Sequence, residues 1–276
     1  MEKAIVLLSG GLDSRLAVKL LQEKYEVIAL HFKLPFGTGC CDENCSFNFS
    51  QLSGVKLEIF DCTKGKLLKE YLKIVKKPKY GYGTCLNPCI DCRIFMLKKA
   101  KEYADKNKIK IIATGEVVGE RPMSQTSKAL KIIDKEVGFD VSRPLSELGI
   151  EGRRRDKQIE LAKKYNISYP TPGGGCLLCE KELKDRVKCL LEKEEVNEQE
   201  VRLIKIGRHF EKNNIIIGKN SKENEILEKE KGIKIVPEEP GPTALITDKE
   251  YEAKAKELIQ KYSKNKIKKF LYIITP

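Results

Sequence analysis

The sequence predicts an α/β fold, a doubly wound parallel sheet followed by a small C-terminal α+β domain. Three observations carry this: a continuous apolar run of strand length at 4–8 with further buried strands read at 27–32, 55–60 and 109–114, amphipathic patterns between them, and a Ser-Gly-Gly turn closing the first run. Apolar runs without polar alternation belong to strands covered on both faces. Helices between consecutive strands are the crossovers that parallel pairing requires.

Residues 4–8 stop at Ser9-Gly10-Gly11, after which Leu12, Leu16, Val18, Leu20 and Leu21 recur with helical period. Buried strands follow at 27–32, 55–60 and 109–114, with amphipathic helices at about 64–77 and 91–107. A shorter strand is expected at 140–142, before a helix at 154–166. Ligands of such sheets bind beyond the carboxyl ends of the strands, where the unusual loops meet. After Tyr169 the stretch Pro170-Thr171-Pro172-Gly173-Gly174-Gly175 breaks regular structure, and Cys176-Leu177-Leu178-Cys179 leads into a charged helical segment ending near Glu200. Strands at 201–206, 214–217, 233–236, 244–246 and 270–274, with helices near 220–231 and 248–263, then describe the α+β domain. The expected division is 1–170 for the parallel-sheet domain, 171–199 for a cysteine-containing linker and helix, and 200–276 for the small domain.

The 276 residues are 41% hydrophobic, enough for ordinary buried cores and against a disordered tail protein. Lys and Arg outnumber Asp and Glu by 53 to 40, a net charge of +13, which favours an anionic partner such as nucleic acid. Most of that excess lies in residues 1–195. The ten cysteines are clustered: Cys40, Cys41 and Cys45; Cys85, Cys89 and Cys92; Cys176 and Cys179; with Cys62 and Cys189 apart. No secretory signal and no apolar run of about 18 residues is present, so no membrane is expected, and metal or redox chemistry in a reducing cytoplasm is preferred to disulfides.

Ser9-Gly10-Gly11-Leu12-Asp13-Ser14 combines glycines that allow close backbone approach with hydroxyls and amides at a helix N-terminus, a setting suited to phosphate or to a capped structural turn. It lacks the spacing and the Lys of a Walker A loop. The segment resembles the PP-loop of the N-type ATP pyrophosphatases, of adenine nucleotide alpha hydrolase-like fold, which cleave ATP between the α and β phosphates to adenylate a substrate oxygen. Further stretches are similar to the tRNA 4-thiouridine synthases: Val27-Ile28-Ala29-Leu30-His31-Phe32 followed by Pro35-Phe36, Thr114-Gly115-Glu116-Val117-Val118-Gly119 with Ser124-Gln125-Thr126, where this chain has one extra residue, and Ser142-Arg143-Pro144-Leu145. The resemblance covers roughly residues 4–180. It implies that Ser9, Gly10, Gly11, Asp13 and Ser14 hold the phosphates of ATP, with Mg2+ as a further cofactor. His31 and Phe32 would lie along the adenosine, and Gly115 and Gln125 would complete the pocket. Arg93 would stabilise charge at the phosphates, acting with Asp13 in catalysis. Arg15 stands where the family often has Pro.

The pairs Cys89-x-x-Cys92 and Cys176-x-x-Cys179 have the ligand spacing of a zinc site or an iron–sulfur cluster, with zinc slightly favoured by spacing alone. The resemblance reverses that order. Iron–sulfur-dependent tRNA thiolases use a Cys-x-x-Cys in this helix and a third cysteine in the late loop, which implies Cys89, Cys92 and Cys176 as ligands of a 4Fe-4S cluster with one iron open for hydrosulfide. Cys179 is a competing third ligand, a fourth ligand of a closed site, or a persulfide carrier, so that Cys176 and Cys179 both count as catalytic candidates. Cys85 is a persulfide relay or a loop thiol. Cys40, Cys41 and Cys45 either bind zinc with an outside ligand or are incidental.

Arg153, Arg154, Arg155 and Lys157 form one basic cluster, and Lys76, Lys77 and Lys79 flank a loop holding Tyr80, Gly81, Tyr82 and Gly83. Both suit phosphate backbones or a solvated face. The usual synthase has an RNA-binding N-terminal extension, whereas this chain starts at the ATP-binding strand. Gly207-Arg208-His209-Phe210, Ile217-Gly218-Lys219-Asn220 with Glu223-Asn224, and Pro240-Gly241-Pro242-Thr243 resemble the RNA-binding domain of the NFACT ribosome-quality-control proteins, which implies Arg208, His209, Lys219 and Asn220 as RNA contacts. The whole reads as an ATP-dependent tRNA sulfurtransferase supplied by sulfide or a persulfide-carrying protein, with a homodimer left open. The alternatives are a PP-loop ATP pyrophosphatase acting on another substrate beside a structural zinc, and a non-catalytic, nucleotide-sensing RNA-binding protein.

Overall fold

The computed structural model describes residues 1–37, 43–171 and 175–275. Cys40, Cys41 and the 172–174 part of the glycine-rich break lie outside the described residues. The chain divides into two compact units, Met1–Glu180 and Lys181–Pro276. The segment expected as a linker at 171–199 straddles that division.

The first unit runs β1 (Lys3–Leu7), α1 (Leu12–Gln22), β2 (Glu26–Lys33), α2 (Glu43–Ser53), β3 (Lys56–Asp61), α3 (Gly65–Lys76), α4 (Cys89–Lys106), β4 (Ile111–Thr114), α5 (Ser127–Val137), α6 (Pro144–Glu147) and α7 (Asp156–Lys164). The strands form a four-stranded sheet in the order β3-β2-β1-β4, with β1 parallel to both β2 and β4 and β2 parallel to β3. Successive strand residues face opposite sides, and both sides are covered. Val6, Leu8, Val27 and Ala29 pack with Leu12 and Leu16 of α1, Phe49 of α2, Leu145 of α6 and Ala162 of α7. Ile5, Leu7, Ile28 and Leu30 pack with Leu97 and Ala100 of α4 and Leu130 and Ile133 of α5. The strand order reverses beside β1, so the carboxyl ends of β1 and β4 flank the crevice where open parallel sheets bind ligands.

The strand expected at 140–142 is reduced to one bridge, Ser142 against Ala113, because Pro144 opens α6 two residues later and takes the chain off the sheet edge. Helices α2 and α5 complete the layers without having been foreseen. Thr126 caps α5 by accepting the amide of Ala129, and Gly138, at φ 73°, closes it.

The second unit holds α8 (Lys184–Glu192), α9 (Glu198–Leu203), β5 (Arg208–Phe210), β6 (Ile215–Ile217), α10 (Ser221–Lys229), β7 (Gly232–Pro237), β8 (Ala244–Ile246), α11 (Glu252–Tyr262) and β9 (Phe270–Thr275). Its antiparallel sheet has the order β5-β6-β8-β7-β9, and Ile215, Ile217, Ile235 and Ile246 pack on Ala255, Leu258 and Ile259 of α11. The strand expected at 201–206 is overturned. Asn197 and Glu200 form a reciprocal capping box that starts α9, a motif contributing about 1 kcal/mol, and α9 carries Val201 and Leu203 into the core.

Candidate functional site

The turn after β1 presents its backbone. Gly10 has φ 85°, and Gly11 is the N-cap of α1 without any side-chain cap. The amides opening α1 are therefore left to a ligand or to Ser9, whose Oγ accepts the Gly11 amide at 3.4 Å. Ser14 Oγ donates to the Gly11 carbonyl at 2.9 Å, and Ser9 Oγ donates to Ser14 Oγ at 3.2 Å. Arg15, buried where the family often has Pro, clamps the turn from behind. It donates to the carbonyls of Gly10 at 2.7 Å, Ser168 at 2.7 Å and Cys45 at 3.2 Å, and its guanidinium lies 5.0 Å from the centroid of the Phe49 ring. His31 is buried, with Nδ1 at 3.0 Å from the Leu8 carbonyl and 2.9 Å from Ser46 Oγ, so it holds the end of β1 in place. Phe32 stacks on Phe60.

The carboxyl end of β4 closes on this turn. A Cβ on Gly115 would stand 2.5 Å from the carbonyl carbon of Asp13 and 2.6 Å from the nitrogen of Ser14, so only glycine permits the approach. Burial raises the pKa of Asp13 against the lowering influence of Arg155 and Arg121, and raises that of Glu120, which Asp13 raises further. Arg155, read from the sequence as part of a surface cluster, thus faces Asp13, whereas Arg153 and Arg154 are exposed. Buried polar atoms without a hydrogen-bond partner gather on these elements: Asp13 Oδ1, Gln125 Oε1, Arg155 Nε and both amide atoms of Gln158. Dry, unpartnered polar atoms are costly, and a nucleotide's phosphates with their Mg2+ are chemistry they suit.

Glu116, next to Gly115, is 2% exposed in its side chain and takes two cations. Arg93 Nε stands 2.9 Å from one carboxylate oxygen, and Arg143 Nε is 3.2 Å from the other, which also accepts from Thr114 Oγ1 at 3.1 Å. Arg143 is held in turn by Asp134 at 2.7 Å. The TGE and RPL segments therefore meet at a buried carboxylate that also anchors Arg93, one residue after Cys92.

The two Cys-x-x-Cys pairs come together. Leu177 donates to the Phe36 carbonyl at 2.9 Å, Leu86 donates to the Leu178 carbonyl at 3.0 Å, and Cys176 pairs with Gly37 in an isolated bridge. Cys89 and Cys92 open α4 after Pro88. Burial pushes the Cys92 thiol up to about 11 and the Cys176 thiol to about 12, and Cys176 is raised further by Cys92, Cys179 and Cys89. Cys179 is exposed and is raised by burial, then by Cys89 and Cys85, with Arg121 lowering it. Cys62, buried behind Cys92, is pushed up to about 12. Cys45 lies on α2, and Cys189 lies on α8 in the second unit. Among the described residues no group of three or more His, Cys, Asp or Glu side chains stands ready to hold a metal ion. The donors nonetheless fit one by type, since Cys89, Cys92 and Cys176 are soft sulfur ligands that interact mutually and release protons on binding.

Elsewhere the sequence candidates are spent on local structure. Tyr82 donates to the carbonyls of Val75 and Lys76, Lys79 pairs with Glu136, and Asp91 accepts the amide of Tyr80. In the second unit His209 lies between Asn213 and the carbonyls of Leu203 and Ile206, Asn220 caps α10, and Arg208 lies over Tyr262. Sequence reasoning gave no role to Glu116, Tyr71, Asn87 or Gln158, which tertiary packing brings to the site.

A doubly wound parallel sheet whose first strand ends in this glycine turn defines an α/β protein of the PP-loop, ATP-binding class. The chain belongs to the ThiI family: the family model described as thiamine biosynthesis protein (ThiI) matches residues 1–203. It is similar to a "Probable tRNA sulfurtransferase" of Methanocaldococcus jannaschii, 28% identical over 179 residues, covering 60% of this chain and 42% of the relative. It is also similar to a "Probable tRNA sulfurtransferase" of Alkaliphilus oremlandii, 32% identical over 145 residues, covering 52% of this chain and 35% of the relative. The chain thus spans less than half the length of these curated relatives. A solved structure described as a predicted subunit of tRNA methyltransferase from M. jannaschii matches 59% of this chain and 76% of its own, at 17% identity and a TM-score of 0.40. No helix among the described residues is long and apolar enough to cross a membrane.

Proposed function

We propose that this chain is an ATP-dependent tRNA sulfurtransferase of the cytoplasm, which adenylates a uridine carbonyl oxygen and replaces it with sulfur. The observation that carries the reading is the junction of its two halves: Gly115 touches the glycine turn, and Glu116 beside it holds Arg93, the neighbour of Cys92.

Ser9, Gly10, Gly11, Asp13 and Ser14 bind the phosphates of ATP, which enters with its Mg2+. Phe32 lies toward the adenosine, His31 supports the turn from beneath, and Gly115 and Gln125 complete the pocket. Arg121 and Arg155, whose charges reach Asp13, serve the same phosphates. The base oxygen attacks the α-phosphorus and pyrophosphate leaves, its charge balanced by Arg93, Arg121 and Arg155; a positioned donor at such a charge is worth about 10²–10³ in rate. A sulfur nucleophile then bonds to the activated carbon, the carbon–oxygen bond breaks, and AMP departs. Neither step needs a histidine base, and the only two histidines, His31 and His209, serve the fold.

Cys89, Cys92 and Cys176 would hold a 4Fe-4S cluster, which supplies an iron without a protein ligand to carry hydrosulfide. Cys176 is favoured as third ligand because it interacts with both Cys89 and Cys92, while exposed Cys179 interacts with Cys89, Cys85 and Arg121, on the side of the nucleotide pocket, where it suits taking over the outer sulfur of a carrier protein's persulfide, whose own cysteine leaves as the thiol. The net charge of +13 and exposed Arg153 and Arg154 suit tRNA phosphates. In the second unit Lys219 and Arg208 are the residues that the likeness to the NFACT RNA-binding domain leaves for RNA contact.

The test is anaerobic reconstitution, metal analysis, and nucleoside mass spectrometry of tRNA treated with ATP and sulfide. The wild-type chain is expected to take up iron and form thionucleoside; Cys89→Ala loses both and still binds ATP. Zinc without iron, or thionucleoside made by the variant, overturns the reading.

A further inference from the structure

Tyr71 on α3 is 1% exposed, its ring centroid 6.4 Å from that of Phe36 and 5.7 Å, edge-on, from that of Phe95. A phenol buried this deeply needs a hydrogen-bond partner. Among the described residues its hydroxyl has one, Sγ of Cys92 at 3.6 Å.

A second buried polar side chain meets the other cysteine of the same pair. Asn87 is 5% exposed, and its Oδ1 accepts the Cys85 amide at 3.1 Å, which fixes the orientation of the side-chain amide. Nδ2 is thereby turned toward Cys89 Sγ at 3.2 Å, with Met123 Sδ at 3.6 Å. Gly83 leaves the room for this, since a Cβ there would stand 2.3 Å from Nδ2. A neutral thiol is a weak acceptor, whereas a thiolate is a strong one. A tyrosine hydroxyl able to donate and a side-chain amide that does, both buried and from different segments, thus each meet one sulfur of one Cys-x-x-Cys.

The geometry points to Tyr71 and Asn87 as positioning residues that hold Cys92 and Cys89 as thiolate ligands and set the reduction potential of the cluster bound there. This rests on the proposed role of Cys89, Cys92 and Cys176 as cluster ligands. Hydrogen bonds to ligand sulfur favour the more electron-rich, reduced state, so removing one lowers the potential.

The experiment is a redox titration of the anaerobically reconstituted full chain, followed by electron paramagnetic resonance, with iron content measured first. Tyr71→Phe keeps the ring and Asn87→Ala removes the second donor independently. Each is expected to move the midpoint negative by about 59 mV, a tenfold change in a one-electron equilibrium. Tyr82→Phe, whose hydroxyl donates to backbone carbonyls and not to sulfur, is expected to leave the midpoint in place. Wild-type midpoints in both Tyr71→Phe and Asn87→Ala at full iron content overturn the assignment alone. A wild-type chain that takes up no iron overturns it together with the reading of the ligands.

Discussion

Gly115→Ala adds one methyl group where the end of β4 meets the glycine turn. The new Cβ would lie 2.5 Å from the Asp13 carbonyl carbon and 2.6 Å from both the Asp13 oxygen and the Ser14 nitrogen, all backbone atoms that cannot rotate away. Restoring ordinary contact means parting β4 from α1 by roughly 1 Å, and overpacking of this kind costs about 1–3 kcal/mol. For a unit of this size each kcal/mol lowers the melting temperature by about 2–4 °C. A displacement of about 1 Å at groups that orient a reaction costs about 10²-fold in rate. Thermal unfolding and ATP-dependent pyrophosphate release with tRNA, measured on the same sample, should both fall. Gly11→Ala is the comparison, because Gly11 has φ −77° and its added Cβ meets only Ser9 Oγ, at 3.6 Å. That variant should melt normally yet lose nucleotide binding, as its methyl group occupies the approach to the helix N-terminus. A Gly115→Ala chain that melts and turns over like wild type would refute the close packing of β4 on the turn.

Glu116→Ala leaves Arg93 and Arg143 without their shared carboxylate, and breaking a buried pair in this way costs about 3–5 kcal/mol, readable as a fall in the urea midpoint. Arg15→Met removes the donor from three carbonyls, at about 1–3 kcal/mol for each one left dry, and the same urea titration measures it. Burial and Arg186 lower the pKa of His209, so the unfolded chain binds that proton more readily than the folded one. Its contribution is therefore complete above the ordinary histidine value near 6.5 and is lost as pH falls through the lowered folded value. Denaturant titrations of wild type and His209→Gln should converge on acidification across that window, and parallel curves would dismiss the effect.

The parallel sheet was legible because its central strands are covered on both faces, which makes the buried part of β1 an unbroken apolar run and gives β2 one from Val27 to Leu30, while edge strand β3 alternates through Lys56 and Glu58. The same rule misled at 201–206, where Val201, Leu203, Ile204 and Ile206 alternate with polar residues like a strand; the capping box at Asn197 and Glu200 decided for a helix. Helix α5 carried its own signals, a Thr126 cap and Gly138 at the end, but they follow the motif residues Ser124 and Gln125, which drew the reading to the loop. At the site, the glycine turn and the cysteine pairs are local spacings and could be read directly. Glu116 and Tyr71 could not, because their partners Arg143 and Cys92 lie 27 and 21 positions away and meet them only through packing, whereas Asn87 sits two residues from Cys89 but its orientation depends on the folded loop.

The late arrival of Cys176 has a consequence for biosynthesis. A chain emerging in order completes the glycine turn and then the Cys89–Cys92 pair, while Cys176 follows only with the last stretch of the first unit and must still dock beside Phe36 and Leu86. On the proposed ligand set, a nascent chain until then holds two of the three ligand thiols. The order of synthesis thus makes the meeting of the two Cys-x-x-Cys pairs the final part of the unit to form, after the sheet that positions them is in place.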